Sequence, residues 1–136
     1  DFLVRPNHLK YIFEVYEKLP KLNGVIDHIA KPEIRENIFE PWAENISELS
    51  KIDSLNCKIS GMVEEMNESQ EISILKNYTD HVIESFGHDK VMYGSNWPVC
   101  LTKKSYSEVL EIAKSISNNL DPEKFFYTNG KSFYLD

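Results

Sequence analysis

The chain has 136 residues, with 15 Lys and Arg against 22 Asp and Glu, which gives a formal net charge of −7 at pH 7. Hydrophobic residues make up 41% and charged residues 27%, a composition typical of a globular segment with one core. The acidic balance and the absence of a basic stripe argue against a nucleic-acid partner and an anionic membrane partner. No apolar run approaches the roughly 18 residues of a membrane span, and the first residues lack a signal-peptide pattern. We therefore expect a cytoplasmic protein.

Short apolar runs alternate with segments of helical periodicity along the chain. The runs at residues 2–4, 25–29, 57–61 and 91–95 are rich in β-branched and aromatic residues, and each ends near Pro or Gly, so they predict four strands. Apolar residues at three- and four-residue spacing predict helices over residues 9–19, 42–52, 72–86 and 109–120. Asp121, Pro122 and Glu123 then supply the cap, the first-turn proline and the first-turn acid of a further helix.

This alternation predicts an α/β protein built from parallel βα units with right-handed crossovers. Four such units fit a small open doubly wound sheet, or half of an eight-stranded α/β barrel. The chain is well short of the ~250 residues of a complete barrel. Because the sequence opens inside a predicted strand, we favour the half barrel, with residues 1–136 as a single segment.

Polar residues follow each predicted strand, at the end where parallel α/β sheets bind ligands. The histidine at His28 can serve as general base, electrophile or metal ligand. Arg5 and Lys58 can hold a substrate carboxylate, and Trp97 can wall a sugar-sized pocket. The alternative is that His28 is a hydrogen-bonded structural residue, and that Arg5 and Lys58 are solvated charges.

The other histidines, His8, His81 and His88, fall on or beside predicted helices, so we expect them at the surface. No H-x-H or H-x-x-x-H pair occurs, whereas a catalytic zinc takes about three protein ligands. The chain by itself therefore offers His28 as its one candidate metal ligand.

Three segments in chain order carry a resemblance to a known family. Residues 25–32 (VIDHIAKP), 57–61 (CKISG) and 91–99 (VMYGSNWPV) resemble successive motifs of the amidohydrolase-related lactonases. These are hydrolases of the metal-dependent TIM-barrel type and include L-fuconolactonase, L-rhamnonolactonase and pyrone dicarboxylate lactonase. Residues 127–134 (YTNGKSFY) resemble the final Asn-Ala-x-x-x-Tyr helix of that family.

The resemblance implies that the chain is the C-terminal half of a (β/α)8 barrel, about its last four βα units. It implies hydrolysis of a sugar-acid lactone, at a C–O ester bond, by activated water. His28 and Asn96 would be the catalytic residues, and Arg5, Lys58 and Trp97 would contact the substrate. A divalent metal such as zinc is the implied cofactor, with His28 as a ligand, although a reaction without metal stays open.

Asn96 departs from the family pattern, because the lactonases have Gly-Ser-Asp-Trp-Pro where this chain has Gly-Ser-Asn-Trp-Pro. An amide has no basic group that takes a proton at neutral pH, and losing a general base typically removes ~10²- to 10⁴-fold of rate. The alternative function is therefore a non-catalytic or truncated relative that acts as a binding or interaction module. We expect the isolated chain to be inactive, and to self-associate through its unpaired strand edges.

Overall fold

The computed structural model of the chain describes residues 1–135. A parallel three-stranded sheet lies at its centre, in the order β1 (Gly24–Ile26), β2 (Leu55–Ile59) and β3 (Val91–Tyr93). Both neighbouring pairs are parallel, and a helix lies in each connection between them. The predicted α/β class with parallel βα units is therefore confirmed.

The segment predicted as the first strand, residues 2–4, does not form a strand, so this prediction is wrong. It is reduced to a single parallel bridge between Phe2 and Ile26, supported by a hydrogen bond of 3.0 Å from the Asp27 N–H to the Phe2 carbonyl. A turn of 3-10 helix begins at Pro6, whose ring fixes its backbone and removes the N–H that a ladder needs. The described sheet thus has three strands and one bridge rather than four strands.

The three remaining strands end earlier than their apolar runs predict. β1 stops at Ile26, because residues 28–31 adopt left-handed backbone angles with φ between 46° and 62°. β2 ends before Ser60 and β3 ends before Gly94. The polar residues that follow the strands consequently lie in loops, which we call the rim and define as residues 27–31, 60–65 and 94–98.

The predicted helices are confirmed with shifted ends. Asp121 also acts as predicted, since its Oδ1 accepts hydrogen bonds of 2.9 and 3.3 Å from the N–H groups of Glu123 and Lys124.

Of the described helices, none is long and apolar enough to cross a membrane. The helices are α1 (Leu9–Lys18), α2 (Trp42–Leu49), α3 (Ile74–Phe86), α4 (Tyr106–Ile116) and α5 (Asn129–Leu135), the last preceded by a π-helical segment, Lys124–Thr128.

The apolar core forms between the helices and one face of the sheet. Cys57 and Val91 pair in register and belong to this core. Side chains alternate across a strand, so the next registered pair, Lys58 and Met92, faces the other side of the sheet. The sheet therefore directs the amine of Lys58 away from the apolar core.

His81 is not the surface residue that its helical position predicts. Its ring is half-buried against Phe39 and Trp42, with centroid separations of 5.3 and 5.5 Å. Its Nε2 lies 2.8 Å from the carbonyl oxygen of Ala43, so the N–H donates a hydrogen bond to the first turn of α2. This histidine ties α3 to α2 and belongs to the scaffold.

Candidate functional site

His28 lies in the rim loop after β1, in a run of left-handed residues. Its φ is 55°, and the β-branched Ile29 that follows has φ 46°. A left-handed conformation costs a residue with a side chain roughly 1–2 kcal/mol, so the surroundings must hold this turn in place. Trp42 does so, because its Nε1–H donates a 2.7 Å hydrogen bond to the Ile29 carbonyl, and Ile29 itself is fully buried.

The imidazole of His28 is fixed by Ser60, which follows β2. The His28 Nδ1 and the Ser60 Oγ are 2.8 Å apart, and Ser60 is only 6% exposed. Two glycines make room for this contact. A Cβ on Gly61 would lie 2.7 Å from His28 Nδ1, and a Cβ on Gly94 would lie 3.0 Å from the Cβ of Ser60. The rim loops after β1 and β2 therefore meet at this histidine, and the loop after β3 packs against Ser60.

Burial lowers the pKa of His28 below its ordinary value of 6.5. The negative charge of Asp27 opposes this shift, and the positive charges of Lys31 and Lys58 add to it. His28 is consequently neutral at pH 7. Its Nε2 has no hydrogen-bond partner among residues 1–135, so this atom is available to a ligand.

Lys58 is held by ion pairs on the sheet face opposite the apolar core. Its Nζ lies 2.8 Å from Asp27 Oδ1 and 2.6 Å from Asp1 Oδ2, and 5.1 Å from the ring centroid of Tyr134. Burial alone lowers the pKa of Lys58, but the neighbouring Asp27 and Tyr134 outweigh it and raise the pKa overall. The ammonium group therefore stays charged.

Asn96 contacts a carboxylate in the neighbouring loop. Its backbone is left-handed, with φ 55°, a conformation that Asn tolerates better than most residues. Its Nδ2 donates a 2.9 Å hydrogen bond to Oε1 of Glu64. The Oε2 of Glu64 is buried and lacks a hydrogen-bond partner in the described part of the chain.

The remaining predicted residues stand at the outside of the rim. Trp97 is 64% exposed, and its backbone N–H donates a 3.2 Å hydrogen bond to Ser95 Oγ. Arg5 has a side chain that is 58% exposed, and its guanidinium lies 3.7 Å from Glu65. Such exposed ion pairs contribute about 0–1 kcal/mol, so this one leaves Arg5 free to move. Substrate contact by Arg5, Lys58 and Trp97 stays a prediction.

Two acidic residues of the rim, Glu64 and Glu65, were missed by inspection of the sequence. They lie six and seven residues beyond Lys58 in the short 3-10 turn Val63–Glu65, which begins two residues after Gly61. The sequence did contain a signal for them, because acidic residues anywhere in a βα loop, and not only those next to the strand, are candidate site residues.

The described residues do not by themselves fit a metal ion. No group of three His, Cys, Asp or Glu side chains in residues 1–135 lies close enough to hold one, whereas a catalytic zinc takes about three protein ligands. His28 supplies one nitrogen with a free lone pair in the tautomer that protonates Nδ1. Its role as a metal ligand therefore stays a prediction.

A parallel α/β sheet with polar side chains gathered at the carboxyl ends of its strands is typical of the barrel and doubly wound fold classes. The sequence profile of the Amidohydrolase family matches residues 2–134. The chain belongs to this family.

Curated relatives of the chain include two lactonases. The L-fucono-1,5-lactonase of Burkholderia ambifaria is 35% identical over 99 residues, a match that covers 73% of this chain and 34% of that protein. The L-rhamnono-gamma-lactonase of Scheffersomyces stipitis is 27% identical over 149 residues, covering 92% of this chain and 44% of that protein. The chain thus spans well under two thirds of the length of these relatives.

Solved structures of amidohydrolases share the fold. An amidohydrolase from Burkholderia multivorans, solved with bound zinc, superimposes with a TM-score of 0.89 at 25% identity, covering 98% of this chain and 51% of that one. Amidohydrolase 2 from Bifidobacterium longum subsp. infantis superimposes with a TM-score of 0.75 at 21% identity, covering 96% of this chain and 46% of that one. The βα units described above therefore correspond to about half of an amidohydrolase barrel chain.

Proposed function

We propose that this chain forms part of a hydrolase that opens a sugar-acid lactone with water. The observation that carries the proposal is the fixed, neutral His28, whose Nε2 is unpartnered within residues 1–135. Membership of the Amidohydrolase family and 35% identity to an L-fucono-1,5-lactonase support the substrate class. The substrate is a small molecule, with Arg5, Lys58 and Trp97 as the proposed contacts.

The proposed role of His28 is to stabilise the oxyanion that forms when water adds to the ring carbonyl. When the Ser60 hydroxyl donates to Nδ1, the imidazole proton resides on Nε2, which can donate a hydrogen bond to the carbonyl oxygen. In the other tautomer Nδ1 donates to Ser60, and Nε2 presents a lone pair instead. Because the pKa of His28 is lowered, the imidazole stays neutral at pH 7. Both the tautomer protonated on Nε2 and the one protonated on Nδ1 are then available.

The test is lactone hydrolysis by the full-length gene product. L-Fucono-1,5-lactone, L-rhamnono-gamma-lactone and 2-pyrone-4,6-dicarboxylate are supplied separately, and acid release is followed with a pH indicator. We expect turnover of at least one of them. His28→Gln should lower kcat/KM for that lactone about 100-fold, since removing one oxyanion donor typically costs about 10²–10³ in rate.

The matched control is His88→Gln, because His88 is exposed and lies just before β3, at the opposite end of the strand from the rim. This variant should keep the wild-type kcat/KM. If His28→Gln folds and retains more than a third of the wild-type activity, His28 has no catalytic role. Absence of hydrolysis with all three lactones would exclude the proposed substrate class as tested.

A second candidate function is a binding module that holds the lactone without opening it. Asn96 favours this candidate, because its side-chain amide cannot accept a proton from water at neutral pH. Calorimetric titration with the same lactones separates the two candidates. Saturable binding without turnover indicates the module, whereas turnover indicates the enzyme.

A further inference from the structure

The Glu64 carboxylate stands in the rim between the loops that follow β2 and β3. Its Oε1 accepts the 2.9 Å hydrogen bond from Asn96 Nδ2. Its Oε2 is buried, and no donor within residues 1–135 reaches it. The side chain as a whole is half-buried, so the carboxylate is part of the rim and not of the apolar core. A buried oxygen without a donor costs free energy, which makes this side chain an unusual one to place for structure alone.

The other carboxylates of the rim are already engaged by cations. Asp27 lies 2.8 Å from the ammonium group of Lys58. Glu65 lies 3.7 Å from the ammonium group of Lys31. Glu64 is bound instead by a neutral amide, which occupies one of its roughly four lone-pair sites and adds no positive charge. Of the described rim carboxylates, it is therefore the one without a cationic partner.

Hydrolysis by water requires a group that accepts a proton from the water. Asn96 has no basic group, and the charged ammonium of Lys58 has no lone pair. In the oxyanion-stabilising role proposed above, His28 carries its proton on Nε2, so this atom has no lone pair to accept another. We propose that Glu64 is the catalytic residue that accepts this proton, and that Asn96 is a positioning residue that orients the Glu64 carboxylate. This inference rests on the proposed function, because the proton to be accepted comes from the hydrolytic water.

The step balances with water as the co-reactant. The water oxygen forms a bond to the carbonyl carbon of the lactone while one water proton passes to the Glu64 carboxylate. The ring C–O bond then breaks, and the departing ring oxygen takes the proton from Glu64 and becomes a hydroxyl group. The product is the open hydroxy acid, and Glu64 returns to its carboxylate form.

Positions 64 and 96 form an amide–carboxylate pair that can be reversed. Glu64→Gln alone replaces the carboxylate by an amide and leaves the pair without an acid. Glu64→Gln combined with Asn96→Asp restores one carboxylate and one amide, now in the opposite order. The double variant therefore tests whether the pair needs a carboxylate, separately from whether it needs a hydrogen bond.

The experiment measures kcat and KM of the full-length gene product between acid and neutral pH, on the lactone that the wild type hydrolyses. Glu64→Gln should lower kcat about 100-fold or more with little change in KM, and should remove the acid limb of the pH–rate profile. The double variant should regain activity to within about tenfold of wild type and show an acid limb again. Glu68→Gln, the same change at an exposed position of the next turn, should behave as wild type.

The inference is overturned if Glu64→Gln melts at the wild-type temperature and keeps more than a third of kcat. If Glu64→Gln does not fold, Glu64→Asp decides, because it keeps the carboxylate and withdraws it by one methylene. A fall in kcat of more than about tenfold with little change in KM supports the proposal, and a wild-type kcat overturns it. A wild-type protein that hydrolyses no lactone overturns the proposed function and this inference together, whereas an active wild type with an active Glu64→Gln overturns this inference alone.

Discussion

Tyr93 at the end of β3 carries a hydroxyl group that the fold leaves unsatisfied. Its ring packs against Phe125 and Phe126, with centroid separations of 6.1 and 5.0 Å. The hydroxyl is buried without a hydrogen-bond partner in the part of the chain that the structure describes. Burial raises the pKa of Tyr93 to about 12. The packing of the ring therefore stabilises the protein at the expense of one desolvated polar atom.

We expect Tyr93→Phe to raise the free energy of unfolding by about 1 kcal/mol, because the change removes an unpaired buried polar group at nearly constant volume. The wild type should also lose stability as pH rises from 10 toward 12, since Tyr93 in the folded protein keeps a proton that the unfolded chain releases near 10. This contribution is absent from the variant. Urea unfolding at neutral and alkaline pH measures both effects.

The control for this prediction is Tyr127→Phe, because Tyr127 is 63% exposed and its hydroxyl is free to contact solvent. The control should change the free energy of unfolding by less than about 0.5 kcal/mol. A Tyr93→Phe variant that is less stable than wild type would mean that the hydroxyl has a partner that stabilises it.

Among the elements, the left-handed turn at residues 28–31 decides how the site is presented. Four successive residues with side chains hold positive φ there, which the intrinsic backbone preference opposes. The indole N–H of Trp42 anchors the turn at the Ile29 carbonyl, and the missing side chain of Gly61 leaves space for the His28 ring. Helix α2 therefore positions a residue of the loop after β1.

We expect Trp42→Phe to lower the free energy of unfolding by about 1–3 kcal/mol, because it leaves the buried Ile29 carbonyl without its donor. If the proposed function holds, kcat/KM for the lactone should fall about tenfold or more as His28 loses its fixed position. Thermal or urea unfolding and lactone kinetics of the full-length gene product measure the two effects.

Tyr78→Phe is the matched control for the Trp42 variant. Tyr78 lies in the same aromatic cluster, and its hydroxyl makes a longer hydrogen bond of 3.4 Å to the Ile38 carbonyl, away from the left-handed turn. This variant should be slightly less stable and keep its kcat/KM. Equal losses of activity in both variants would show that general loosening of the cluster, and not the bond to Ile29, affects the site.

At the scale of the whole molecule, the 136-residue chain presents a sheet with open sides. The described sheet ends at β3 on one side and at the Phe2 bridge on the other. Leu3, Val99 and Leu101 are each more than half exposed. An unpaired strand edge and exposed apolar side chains promote association with another chain.

We expect this 136-residue chain, expressed by itself, to form dimers or larger species at micromolar concentrations. Size-exclusion chromatography with light scattering measures the mass, and a dilution series separates reversible association from aggregation. A monomer of 15.8 kDa across the series would show that the open edges do not drive association. The full-length gene product provides the comparison under the same conditions.

The strand and helix alternation was predictable because it depends on local periodicity, which the chain carries in its apolar residues. The loop after β1 was not, because Val25, Ile26 and Ile29 have the β-branched character of a continuous strand. The turn at residues 28–31 overrides this preference through contacts with Trp42 and Gly61, which lie far along the chain. The first predicted strand failed for a simpler reason, since the short run before Pro6 gains only one bridge.

The sequence by itself determined the α/β class, because periodicity is a local property of the chain. Its motifs also carried the family resemblance, which implied the candidates His28 and Asn96. Only the tertiary structure decided their partners. His28 meets Ser60, and Asn96 meets Glu64, each across 32 residues. Such contacts depend on how the loops of neighbouring parallel strands converge, and strand register and left-handed turns set that convergence only once the sheet and its helices have packed.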